Sequence, residues 1–212
     1  MLVRSSASIL RPAFGLLALS AIARQLALHV QLGFDAVNFF SFFTNLSNLF
    51  AAAVLIACAR GRSSRSDTPN SIDRLRAVSV VNMSVVGLVF AILLRETDLG
   101  SLLPWVNVVL HYVMPCVVVL DWLLQPPRTK LGSRHLLLFQ LFPAIYLAYV
   151  LVRGSTTGWY PYPFLDPANV GGYGGVAAYA TAIAATFLVS GWALLALGNK
   201  LRRPGLRLSP ST

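Results

Sequence analysis

"VNFFSFFTNLSNLFAAAVLIACARGR", residues 37–62, decides how the rest of the chain is read. From Val37 to Ala59 it carries no charge, and about 20 apolar residues are enough for a helix to cross the hydrocarbon core of a bilayer. It ends on Arg60 and Arg62, the residue type that stays on the cytoplasmic side of a membrane helix. Its outer half nevertheless packs Ser41, Thr44, Asn45, Ser47 and Asn48 closely together. The segment therefore reads as a membrane helix with a polar cluster near its outer end.

The same pattern recurs on both sides. The 212 residues are 56% hydrophobic and only 11% charged, against about 25% charged in an ordinary soluble domain. Six apolar blocks qualify as spans: 8–30, 37–59, 77–95, 102–124, 135–152 and 174–198. The expected fold is all-α: one integral membrane domain over residues 1–212, a bundle of six transmembrane helices. The net charge of +10 is not spread evenly. Arg4 and Arg11 precede or open the first block, and Arg60, Arg62, Arg65, Arg74 and Arg76 follow the second. Arg128, Lys130 and Arg134 follow the fourth, and Lys200, Arg202, Arg203 and Arg207 follow the sixth. The alternate loops hold only Arg95 and Arg153 beside Asp35, Glu96, Asp98 and Asp166. This alternation is the positive-inside pattern, and it places both termini in the cytoplasm. The basic charge then sets topology and meets anionic lipid; no nucleic-acid partner is expected. Cys58 and Cys116 lie inside apolar blocks, which gives no disulfide framework. The first block resembles a signal peptide as far as "AIA" at 21–23, but it continues through "RQLALHV" and fits the charge alternation as an uncleaved first helix.

Two cytoplasmic connections are polar: "RGRSSRSDTPNSIDRLR" (60–76) and the proline-broken "QPPRTKLGSR" (125–134). On the outer side, "RGSTTGWYPYPFLDPANVGGYGG" (153–175) is too rich in proline and glycine for continuous helix. Trp159, Tyr160, Tyr162 and Phe164 suit either an interfacial aromatic belt or a lid over an outward-facing pocket.

Depth sorts the polar residues inside the spans. At about 1.5 Å of rise per residue, Thr44 lies roughly 10 Å from the outer end of its helix, His111 roughly 13 Å and Arg24 roughly 9 Å. Asn45, Asn48 and Asn107 fall at neighbouring depths. Ionisable groups within membrane helices are costly and usually face the bundle interior at functional sites, so this outer layer is the candidate site. Interhelical hydrogen bonding is the competing explanation for the amides and hydroxyls, and Ser41 and Ser47 are expected only to pack. Ser41, Thr44, Asn45 and Asn48 share one helix face. Pro115 follows His111 by four residues, cannot donate to its carbonyl, and predicts a distorted helix at the imidazole.

Soluble-enzyme signatures are missing: the sequence has no GxSxG, HExxH, Walker loop or GxGxxG. With three histidines and scattered acids, no metal site and no cofactor are expected; haem between His29 and His111 is the alternative. A hydroxyl beside an imidazole is the minimal arrangement for nucleophilic attack on an acyl carbon. In that chemistry Asn45, Asn48 or Asn107 would hold an oxyanion and Arg24 a carboxylate. A site in the outer leaflet would receive a lipid-like or acyl-ester substrate sideways from the membrane.

Three motifs carry a resemblance: the Thr in "FFTNLSN" early in the second block, "NVVLHYVMP" (107–115) in the fourth, and "GWYPYPFLDP" (158–167) in the last outer loop. In helix number and motif order the chain resembles the androgen-induced protein and androgen-dependent TFPI-regulating protein family, which includes small bacterial six-helix relatives of the Pr6Pr type. The animal members hydrolyse fatty acid esters of hydroxy fatty acids with a Thr nucleophile and a His. The resemblance implies Thr44 and His111 in those roles, membrane lipids as surroundings, and the plasma (inner) membrane of a bacterium as location. Trp159 and Tyr162 of the aromatic–proline motif join Arg24, Asn45, Asn48 and Asn107 as expected substrate or oxyanion support. A non-enzymatic lipid-binding protein or transporter using the same polar layer is the alternative.

Overall fold

The computed structural model describes residues 2–60, 69–98, 100–128 and 130–202. Every regular element among them is helical. The first span is α1, Leu2–Gln31. The second is divided into α2, Ala36–Phe40, and α3, Phe43–Arg60. The third is α4, Pro69–Val89, continued by a π-helical turn over Phe90–Leu94. The fourth is α5, Pro104–Val108, a second π turn over Val109–Val113, and α6, Met114–Leu124. The fifth is α7, Arg134–Thr157, and the sixth α8, Tyr173–Leu201. Five of these spans are long and apolar enough to cross a membrane, and the broken second one contributes a shorter apolar helix. The six expected blocks thus correspond to six helical passes. Residues 61–68 of the polar connection expected at 60–76 lie outside the described residues, as do Arg203 and Arg207; α4 begins at Pro69, earlier than hydropathy indicates.

The exterior explains the solvent this fold is built for. Ile92 and Leu137 are 74% exposed and Val152 66%. Large apolar side chains turned outward on helix after helix suit lipid, not water. The interior is partly polar: Ser47 and Asn48 are fully enclosed, and Asn82 and Ser79 nearly so. At the center stands α4, packed on α3, α6, α7 and α8.

The basic residues do more than set topology. Arg11 on α1 donates through Nε and Nη2 to the two carboxylate oxygens of Asp121 on α6, at 2.7 and 3.0 Å. Arg76 on α4 donates to Asp121 Oδ2 at 2.9 Å and lies 3.9 Å from Asp73. Arg76 also sits over the Trp122 ring, 5.5 Å from its centroid. Three spans are tied at one end of the bundle by one enclosed, charge-balanced cluster.

Candidate functional site

The second span breaks where its polar cluster begins. Asp35 caps α2 by accepting from the Val37 N–H at 2.8 Å. Five residues later the ladder stops. Ser41 Oγ donates back to the Val37 carbonyl at 2.7 Å, a local bond that competes with helix continuation. A break inside a membrane orphans backbone groups, and it persists only where protein satisfies them. Here side chains do so one by one. Asn45 Nδ2 donates to the Phe39 carbonyl at 2.8 Å. Tyr146 Oη of α7 donates to the Ser41 carbonyl at 2.7 Å. The Thr44 N–H donates to Tyr162 Oη at 3.3 Å. One turn deeper, Asn48 Nδ2 donates to both the Thr44 carbonyl, at 2.9 Å, and the Leu110 carbonyl, at 3.2 Å.

The break puts Thr44 in the first turn of an 18-residue helix, at the positive end of its dipole, where the Thr44 N–H is met by Tyr162 Oη and those of Asn45 and Leu46 by the Phe42 carbonyl. The Thr44 side chain, 8% exposed, lies in the wall of a cavity of about 200 Å³ between α3, α4, α7 and α8. The polar residues lining that cavity are Thr44, Tyr146, Tyr162 and Gln140; the rest are apolar, including Phe43, Val86, Leu147 and Phe187. The hydroxyls of Thr44, Tyr146 and Tyr162 cluster at one end. Burial pushes the Tyr162 phenol up, so it remains protonated in the neutral range.

The last outer loop closes this end. Gly158, at φ +71°, stops α7 in the left-handed conformation that glycine adopts without strain. The chain then turns inward through a 3-10 turn over Pro163–Leu165, and Tyr162, Phe164 and Leu165 are buried against the cavity. The aromatic–proline segment therefore covers a pocket, the second of its two sequence readings. Gly154 makes room for it: a Cβ there would collide with the Tyr160 ring.

His111 lies on the adjoining element. The π turn carries it, and the Met114 N–H reaches back to the Val109 carbonyl. This is the distortion that Pro115 predicts, since proline cannot close the regular bond to the His111 carbonyl. The imidazole is buried and stacks on Phe90 of the other π turn, with centroids 4.0 Å apart. Its Nδ1 lies 3.3 Å from the Asn107 carbonyl, which leaves Nε2 as the nitrogen without a protein partner. Thr44 and His111 are not hydrogen-bonded to each other, and His111 does not line the cavity. Asn48, gripping Thr44 and Leu110 carbonyls together, is the link between their elements.

The remaining expected residues divide. Arg24 is exposed on α1 and faces away from the cluster. Asn45 and Asn48 spend their amides on backbone. The Asn107 side-chain carbonyl is enclosed without a partner. Trp159 packs edge-on to Phe42, which packs edge-on to Tyr162. His29 bonds the Asp35 carbonyl at 3.0 Å and packs on Phe34 and Phe39, apart from the Phe90 stack that holds His111. Ser41, expected to be packing, is a junction: besides Val37 its hydroxyl meets Tyr149 Oη at 2.9 Å. Sequence reasoning placed α7 as a span and missed what its side chains bring to the site. Its Tyr146, Tyr149 and Arg153 fall at i, i+3 and i+7, one face of a helix, and all three bond to the region of the break.

A family model described as FAR-17a/AIG1-like protein matches residues 38–196. No curated protein and no solved structure matches the chain.

Proposed function

The chain belongs to the FAR-17a/AIG1-like family, and we propose that it is an intramembrane hydrolase of lipid esters with Thr44 as nucleophile. One observation carries this reading: an enclosed threonine in the first turn of a broken membrane helix, facing an apolar cavity with two tyrosine hydroxyls beside it. The acyl arm of an ester lies in the cavity. The Thr44 Oγ bonds to the acyl carbon as the bond to the alcohol oxygen breaks, and the hydroxyl proton ends on the departing alcohol. Water then cleaves the acyl-threonine to give the acid. Negative charge on the carbonyl oxygen meets the first-turn N–H groups of α3 and Tyr162, donors fixed before the reaction. His111 is the base, through Nε2, the nitrogen its contacts leave open. In the structure it lies against Phe90, and proton transfer requires Thr44 and Nε2 to come together.

Replacing Thr44 with Ala abolishes turnover of long-chain esters and labelling by a fluorophosphonate probe; a variant that labels like the parent refutes the assignment. Replacing His111 with Ala lowers turnover by about 10² to 10⁴, the usual contribution of a general base. A second reading, a non-enzymatic lipid-binding protein, is favoured by the contact of Thr44 with Tyr162 in place of His111. It predicts thermal stabilisation by acyl lipids without any turnover.

A further inference from the structure

Of the arginines drawn into the described bundle, Arg11 and Arg76 are neutralised. Arg11 and Arg76 share Asp121, with Asp73 beside Arg76. Arg153 is different. It lies in the last turns of α7, seven residues outward of Tyr146 and so on the same face, about 10 Å further along the helix. Its Nη2 donates to Asn38 Oδ1 at 2.7 Å, and its guanidinium carbon lies 5.0 Å from the centroid of the Trp159 ring. Its Nη1 is enclosed and bonds to nothing, and among the described residues no carboxylate pairs with it.

An arginine that merely snorkels to the membrane surface keeps its whole head in water. Arg153 does not. Asn38 and Trp159 fix its plane and leave part of the fork without an acceptor, whereas a carboxylate or phosphate is the group that fork matches. From there an aromatic wall runs down to the cavity: Trp159 against Phe42 and Phe42 against Tyr162, centroids 5.8 and 5.7 Å apart. The neighbouring cavity is apolar and suits a chain.

We propose that Arg153 anchors an anionic headgroup, and that the molecule taken by this site is an amphiphile with a carboxylate or phosphate at Arg153 and its chain in the cavity. The inference rests on the reading of that cavity as an acyl site and adds the charge of its ligand. Arg153, not Arg24, is then the residue that selects for an anion.

The test is the thermal midpoint of the purified protein in non-ionic detergent, titrated with palmitate, palmitoyl lysophosphatidic acid, palmityl alcohol, and acetate or inorganic phosphate without a chain. Either anionic amphiphile stabilises at concentrations at least about tenfold below the alcohol, and the two chainless anions do not stabilise. Preference between palmitate and the lysophosphatidate identifies the headgroup. Arg153→Gln erases the anion preference, a change of about ten- to a hundredfold for the loss of a charged hydrogen-bonding partner. Arg153→Lys folds with the charge in place and keeps part of the preference. Equal potency of palmitate and palmityl alcohol in the parent protein overturns the proposal, as does an Arg153→Gln variant that still prefers the acid. If no ester is turned over while the preference holds, the hydrolase reading falls and the anchor stands; turnover without any preference removes the anchor alone.

Discussion

Asn45 shows what a polar side chain in a membrane helix is for. Its amide replaces the N–H that the break withdraws from the Phe39 carbonyl. Asn45→Leu keeps the size and removes the donor, leaving an enclosed carbonyl unsatisfied at a cost of roughly 1–3 kcal/mol. Thermal unfolding in detergent reads this as a lower midpoint, and turnover falls with it because Thr44 begins the next turn. The Asp121 cluster gives a larger effect. Asp121→Asn removes the charge shared by Arg11 and Arg76 and leaves two like charges enclosed, for which breaking a buried pair costs about 3–5 kcal/mol. A midpoint equal to the parent's would show that water reaches those arginines. The residue types were legible from sequence: the hydroxyl and amide cluster and the intramembrane His111. Their partners were not, because hydropathy fixes depth and leaves helix rotation open. Arg24 falls at the expected depth yet points outward, and Arg153, assigned to a loop by its place beyond the apolar block, belongs to α7.

Among the elements, the two π turns and the broken second span carry the irregularity. Pro115 announced the turn at His111, since a missing N–H can be read directly from sequence. Nothing comparable announced the turn over Phe90–Leu94, which holds no proline, or the gap at Ser41 and Phe42, which depends on acceptors and donors arriving from α7 and the last loop. Pro115→Ala tests the first of these. It restores the donor for the His111 carbonyl, favours a regular helix, and turns the imidazole off Phe90. Turnover drops by about 10², the effect of a displacement near 1 Å in a catalytic group, while the thermal midpoint holds or rises. The inward loop depends in the same way on the absence of one side chain. Gly154→Ala places a methyl where the Tyr160 ring lies, and the loop must shift to accommodate it. Because Tyr162 is two residues on, the expected result is weaker turnover with the helical circular dichroism unchanged.

For the molecule as a whole, the count of passes followed from apolar length and the orientation expectation from charge, both additive over the chain. The cavity followed from neither, because it lies among four helices whose packing order no sequence interval states. Its shape bears on how a lipid arrives. Deeper in the bundle α7 and α8 are in contact: Gly191 of α8 is so close to Phe139 that a Cβ there would lie 2.9 Å from the ring, and Gln140 donates to the Ala184 carbonyl at 3.3 Å. Beside that contact the residues lining the cavity from the two helices include the small Ala144, Ala180 and Ala184, and Ala144 and Ala184 are exposed on the outside of the bundle. We predict a lateral window between the helices beside these small side chains. Along α7 the cavity runs from Gln140 to Leu147, about 10 Å at helical rise, whereas one leaflet of hydrocarbon is about 15 Å deep. A chain longer than the cavity then leaves through the window into lipid, and a long-chain ester uses that window to enter. Ala184→Trp fills it. The ratio of kcat/KM for long- over short-chain esters falls about tenfold or more, the scale of an overpacked apolar contact. A ratio unchanged in a variant that folds would mean that substrate passes under the aromatic loop instead.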